Sequence, residues 1–225
     1  MFSKLLNNEC TMCLNHKYGD YCHTCLDDLS KNFSIEFDYN IQKFTDSLIY
    51  FGHYNQVAKD YLFAGKFDFQ IDAFKSLGAF IASNLPSFPN KSLITYVPTD
   101  WVRFCLRGFN PSKVLASELS KNSGTKLKKI FKRIKKHKSL KNLNRDERIE
   151  ELANSFGVIS KKELLEAKQL YIIDDVYTTG ATLNKLSAIA KEINPKIKVI
   201  GVCFVKTPLN YSDFSNIIQT SNVFL

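Results

Sequence analysis

The sequence predicts an α/β protein, an open and mostly parallel sheet flanked by helices, with a small metal-binding module at its N-terminal end. Three observations point there. Residues 92–98, 170–173 and 198–205 are short apolar runs of the kind that form strands buried on both faces. Around them the apolar spacing turns helical, as in Leu183, Leu186, Ile189, Ala190 and Ile193, a face closed by Asn194 and Pro195. Ahead of all of them stand two Cys-x-x-Cys pairs. A chain of 225 residues that is 44% hydrophobic suits one such domain, residues 33–225, with an appendage over residues 1–32.

In chain order, Cys10, Cys13, Cys22 and Cys25 form two knuckles separated by eight residues that include Gly19. Four thiolates on two tight turns can surround one tetrahedral zinc and leave no position open for chemistry, so the expected ion is structural. Two disulfides are the competing reading, against which the lack of an export signal argues. Residues 33–54 alternate weakly and read as a linker with short strands. From 54 to 85 the spacing is helical, through Val57, Tyr61 and Leu62 and then Ile71, Phe74, Leu77, Gly78 and Ile81, across a break at Gly65 and Lys66. These aromatic residues read as core. After the strand at 92–98 come Thr99, Asp100, Trp101, Arg103 and Arg107, then Gly108, Phe109, Asn110 and Pro111. Asn110 is a natural N-cap and Pro111 a natural first helical residue. Cys203 in the last strand reads as core, and residues 216–224 as an edge strand.

Residues 170–182 read Leu-Tyr-Ile-Ile-Asp-Asp-Val-Tyr-Thr-Thr-Gly-Ala-Thr and carry the chemistry. An apolar run stops at Asp174 and Asp175, and Thr178, Thr179, Gly180, Ala181 and Thr182 lead into a helix. Backbone N–H groups at a helix start lack partners and the helix dipole favours an anion, so the loop suits a phosphate. The two carboxylates beside it suit sugar hydroxyls. The bland alternative is a strand whose acidic end only caps the next helix. No Gly-x-Gly-x-x-Gly or Gly-x-x-x-x-Gly-Lys loop occurs, which argues against a dinucleotide enzyme or a P-loop ATPase.

Those thirteen residues resemble the signature of the type I phosphoribosyltransferases, which bind phosphoribosyl pyrophosphate (PRPP). Taken with the two Cys-x-x-Cys pairs, Val97-Pro98 and Arg107-Gly108-Phe109-Asn110, the resemblance narrows to the competence protein F (ComF) family, phosphoribosyltransferase-like proteins associated with DNA uptake. It spans residues 10–183 and departs from the family pattern at Pro111, Ser139 and Glu151. The resemblance implies a type I phosphoribosyltransferase fold with PRPP over the carboxyl ends of the strands. Asp174 and Asp175 would hold the ribose hydroxyls and Thr178–Thr182 the 5′-phosphate. Thr99 with Arg103 or Arg107 would meet the pyrophosphate, and Mg²⁺ would be held largely by the substrate. Two activities follow from it. One is transfer of the phosphoribosyl group to an unnamed acceptor with release of pyrophosphate. The other is a non-catalytic, single-stranded-DNA-binding protein that uses PRPP or a nucleotide as a ligand. Purine-salvage relatives often place an Asp at the first loop position; here Thr178 stands there, so no catalytic base is named.

Residues 126–141 hold nine of the 31 Lys and Arg and no acid, and the remaining 22 balance the 22 Asp and Glu. The whole +9 charge therefore lies in one segment. Leu127, Ile130, Phe131 and Ile134 follow helical spacing within it, and a strand reading stays open. Lys132, Arg133, Lys135 and Lys136 are the residues expected on the phosphates of single-stranded DNA, with no base reading. A solvated face or a mobile hood over the site is the competing reading. Other DNA-uptake proteins are expected partners. No run approaches a membrane span and the first residues hold no signal segment, so the chain is expected in the cytoplasm or at the inner face of the membrane.

Overall fold

The computed structural model describes residues 10, 22–39, 41–67, 71–134 and 155–208. Along the chain lie α1 (His23–Asn32), β1 (Glu36–Tyr39), β2 (Ser47–Tyr50), α2 (Gln56–Phe67), α3 (Ile71–Asn84), β3 (Ser92–Tyr96), α4 (Trp101–Arg107), α5 (Pro111–Ser123), β4 (Phe131–Arg133), β5 (Phe156–Val158), α6 (Lys161–Glu166), β6 (Gln169–Tyr177), α7 (Ala181–Ile193) and β7 (Lys198–Lys206). Five strands make one sheet in the order β1-β2-β7-β6-β3, in which only β1 and β2 pair antiparallel.

The continuous apolar runs follow from covering both faces of that sheet. On one face Tyr61, Phe74, Leu77, Ile81, Leu115 and Leu119 pack on Ile94, Tyr171, Ile173, Val202 and Phe204. On the other, Leu164, Leu183, Leu186 and Ala190 pack on Leu48, Leu93, Leu170, Ile172 and Val199, together with Phe131 and Phe156. Gly201 in β7 lets α7 approach closely, because a Cβ there would collide with Leu183.

The structure sharpens the sequence reading at four places. Residues 33–54 are more than a linker: β2 is buried along its whole length between β1 and β7. A run of four residues is too short for its period to be read, so its place was invisible locally. The first packing helix continues through Gly65 and Lys66 to Phe67, since one internal glycine costs only about 1 kcal/mol. Residues 101–107, to which the sequence reading assigned no element, form α4, with the Asp100 carboxylate accepting from the Arg103 N–H at 2.9 Å and Gly108 closing the helix at φ 72°. Trp101, Val102, Phe104 and Leu106 are all exposed, so the helix buries no apolar stripe that a period could reveal. The described part of the basic segment is extended. Leu127 bridges Ile94 at the outer edge of β3, with the Ile94 N–H donating to the Lys126 carbonyl and the Lys128 N–H to the Ile94 carbonyl, both at 2.9 Å. β4 then pairs antiparallel with β5. The open backbone edge of β3 supplies hydrogen bonds that a helix over 126–134 would forgo.

At the N-terminal end, Cys10, Cys25, Leu29 and Phe33 share one apolar cluster with Tyr61 and Phe204. The Phe33 ring lies 4.7 Å from that of Phe204 and edge-on to Tyr61 at 6.3 Å. The Tyr61 hydroxyl donates to the Cys25 carbonyl at 2.6 Å, and burial raises its pKa. No helix among the described residues is long and apolar enough to cross a membrane. The expected edge strand at 216–224 lies outside the described residues.

Candidate functional site

β6 does not stop at the acidic pair. Its pairing with β3 ends at Ile173, where the Val97 N–H donates to the Ile173 carbonyl at 3.0 Å, but its pairing with β7 runs on to Tyr177 opposite Lys206. The sheet therefore has a step, and Asp174 and Asp175 stand on it just past the end of β3. That step is the crevice outside the strand ends where open α/β sheets hold ligands.

Elements distant in sequence converge on the step. Asn110 caps α5, accepting from the Lys113 N–H at 3.3 Å, while its amide donates to the Val97 carbonyl at 3.0 Å; it ties the helix start to the end of β3. Ser112, one residue into α5, donates to Asp174 Oδ1 at 2.9 Å, and the Asp175 N–H donates to the same oxygen at 3.0 Å. Burial and then the neighbouring Asp175 charge push the Asp174 carboxyl well above the usual carboxylate range, and the Ser112 hydrogen bond opposes them. Arg107, the last residue of α4, is half-buried. Desolvation lowers its pKa and the Asp175 charge opposes that, so cation and carboxylate sense each other across the crevice. Tyr54 completes the group: burial first, and Asp175 second, raise its hydroxyl pKa.

The predicted phosphate loop lies beside the acids. Thr178 and Thr179 are exposed and Gly180 takes a left-handed conformation at φ 74°, the N-cap of α7. Gly180 at the N-cap has no side chain to offer, and the Ala181 N–H donates to Thr179 Oγ1 at 3.4 Å; Ala181 and Thr182 are the first helical residues. The loop is held from beneath by Gln42, whose amide donates to the Thr179 carbonyl at 3.0 Å and the Tyr177 hydroxyl at 3.3 Å. Of the residues expected on the pyrophosphate, Arg107 carries a charge interaction with Asp175. Asp100 is occupied as the cap of α4 and pairs with the exposed Arg103 at 3.3 Å. Thr99 is partly buried in the connection between β3 and α4.

A second constellation is made of sulfur. Cys10 Sγ lies 3.7 Å from Cys25 Sγ, and the sulfurs of Cys10, Cys22 and Cys25 lie within 4.8 Å of one another. Zinc–sulfur bonds of about 2.3 Å set tetrahedral edges near 3.8 Å, whereas a disulfide requires about 2.05 Å. The sulfurs thus stand at metal-ligand spacing. The Cys22 N–H donates to Cys10 Sγ at 3.3 Å, a bond that favours the thiolate. These three residues fit a metal ion. Cys13 lies outside the described residues. In the basic segment, Lys132 and Arg133 are exposed on β4, with the Arg133 guanidinium 5.5 Å from the centre of the Phe156 ring. Lys135 and Lys136 lie outside the described residues.

No family model matches the chain. Over 143 residues, 64% of this chain and 61% of the relative, it is 29% identical to competence protein ComFC of Streptococcus pneumoniae. A second match, 31% identical over 108 residues, is to competence protein F of Haemophilus influenzae and covers 47% of each chain. These matches support membership of the ComF family. The aligned stretches span about half to three fifths of those relatives' length. Sequence reasoning singled out the acids, the loop and the cysteines but not Gln42, Tyr54 and Ser112. Ser112 stands 62 residues from Asp174 and Gln42 stands 137 from Thr179, and no local pattern joins such pairs.

Proposed function

We propose that the chain binds PRPP at the step in the sheet and acts in DNA uptake, on a type I phosphoribosyltransferase fold. The single observation that carries this reading is that Asp174 and Asp175 stand just past the end of β3, beside the glycine loop that opens a 13-residue helix. Asp174 and Asp175 hold the ribose hydroxyls, Thr178–Thr182 hold the 5′-phosphate through backbone N–H groups and threonine hydroxyls, and Arg107 faces the pyrophosphate. Mg²⁺ fits this donor set. The adjacent carboxylates of Asp174 and Asp175 would supply oxygen ligands to a hard cation that takes its remaining ligands from the substrate and water. Cys10, Cys22 and Cys25, with Cys13, hold a structural zinc. The names of the two ComF relatives support a role in competence, and the basic segment supplies the contact to single-stranded DNA.

The test is thermal protection. A ligand that binds only the folded state stabilises it by about 2.7 kcal/mol at a hundredfold excess over Kd. PRPP should raise the melting temperature in a Mg²⁺-dependent way, and Asp175→Asn combined with Thr179→Ala should abolish the rise. Unchanged protection in that double variant would place the site elsewhere. Thr178 at the head of the loop favours a second reading, binding without turnover, because it offers no carboxylate to take a proton from an acceptor. Pyrophosphate release above the Mg²⁺ background that tracks one acceptor decides for the transferase.

A further inference from the structure

Residues 41–46, between β1 and β2, lie along α7 and the loop that leads into it. The Phe44 N–H donates to Asn184 Oδ1 at 2.9 Å, Thr45 Oγ1 and Ser187 Oγ share a hydrogen bond at 2.8 Å, and Asp46 accepts from Lys191 Nζ and from the Val199 N–H, both at 2.7 Å. These contacts follow the helix back towards its start, where Gln42 meets Thr179 and Tyr177. The amide of Gln42 is thus delivered to the loop by a strap fixed at three further residues.

The consequence lies in one peptide unit. A trans peptide is planar, so the Thr179 carbonyl and the Gly180 N–H point in opposite directions. With the carbonyl drawn to Gln42, the Gly180 N–H points away from the Gln42 amide. Tyr177 and Gln42 also form the floor under Gly180: a Cβ there would collide with the tyrosine hydroxyl and come within 2.9 Å of Gln42 Nε2. We propose that Gln42 is a positioning residue for anion binding, which sets the Gly180 N–H in its phosphate-facing orientation without touching the phosphate itself. This role deepens the phosphate-loop reading of residues 178–182 and rests on it.

Gln42→Met keeps the length and apolar body of the side chain but has no N–H to donate, and Gln42→Asn keeps the amide but is too short to reach. The whole chain, prepared with zinc and labelled with ¹⁵N, is titrated with inorganic phosphate and separately with PRPP and Mg²⁺, while the Gly180 amide resonance is followed. In the wild type both anions should move that resonance. Each variant should bind both about tenfold more weakly, the worth of one oriented hydrogen-bond donor, with its melting temperature unchanged. Wild-type phosphate affinity in Gln42→Met would overturn the role. If phosphate moves the Gly180 amide and PRPP does not, the PRPP reading fails while a weakened phosphate response in Gln42→Met upholds the positioning role. A Gly180 amide indifferent to both anions would overturn both.

Discussion

Asp174 is held between a hydroxyl from α5 and the backbone of its own neighbour, and its carboxyl keeps its proton far longer than an exposed aspartate would. The folded state therefore binds that proton more tightly than the unfolded chain. The stability this contributes is complete below the unfolded value, near pH 4, and is lost as pH rises through the raised folded value. The ligand-free protein should melt at progressively lower temperature as pH climbs from the acid side, and Asp174→Asn should flatten that decline and melt higher at the alkaline end. A variant with the wild-type slope would assign the titration to another group. Gly180 carries the complementary residue-scale prediction. Its left-handed backbone and the floor formed by Tyr177 leave no room for a methyl group, so Gly180→Ala should cost on the order of 1–3 kcal/mol in urea unfolding and weaken PRPP binding. Wild-type stability in that variant would mean the loop adopts another conformation.

At the scale of elements, α1 and the cysteines are tied to the body of the protein through a shared core. Cys10, Cys25, Leu29 and Phe33 pack with Tyr61 of α2 and Phe204 of β7, and the Tyr61 hydroxyl reaches the Cys25 carbonyl. Elemental analysis of protein purified under reducing conditions should find one zinc per chain. Because metal binding and folding are coupled, a chelator should lower the melting temperature of the whole sheet domain as well as unravel the cysteine segment. Circular dichroism that reports an unchanged main transition after zinc removal would uncouple the two. α4 behaves differently: it is capped at both ends but buries no side chain, and only Arg107 at its last turn is drawn into the crevice.

For the molecule as a whole the governing feature is the placement of charge. The described part of the basic segment begins as an addition to the β3 edge and continues into β4, with Lys132 and Arg133 exposed. If it neutralises roughly four to six phosphates, single-stranded DNA affinity should fall with salt at a log-log slope of about −3 to −5. Replacing Lys132, Arg133, Lys135 and Lys136 by Ala should flatten that slope and weaken binding for every sequence alike. Wild-type affinity and slope in the quadruple variant would mark the segment as a solvated face or a hood.

Local physics was enough for much of this protein. The runs at 92–98, 170–173 and 198–205 announce strands buried on both faces because a doubly covered strand must be apolar throughout. Asn110 and Pro111 announce a helix start because those residues satisfy or forgo the N–H groups that a first turn leaves over. Cysteine spacing announces a metal site because two tight turns bring thiolates to one point. Where the sequence misled, the deciding contacts were non-local. Helical spacing in 126–134 yielded to the open edge of β3, β2 acquired its place from β1 and β7 on either side, and α4 had no buried face to announce it. The acids, the glycine loop and the cysteines were written in contiguous residues. Their arrangement into a site was not, since Ser112, Tyr54, Arg107 and Gln42 reach Asp174, Asp175 and Thr179 only through the packing of the sheet, and a hydrogen bond between segments far apart in the chain leaves no periodic trace in either one.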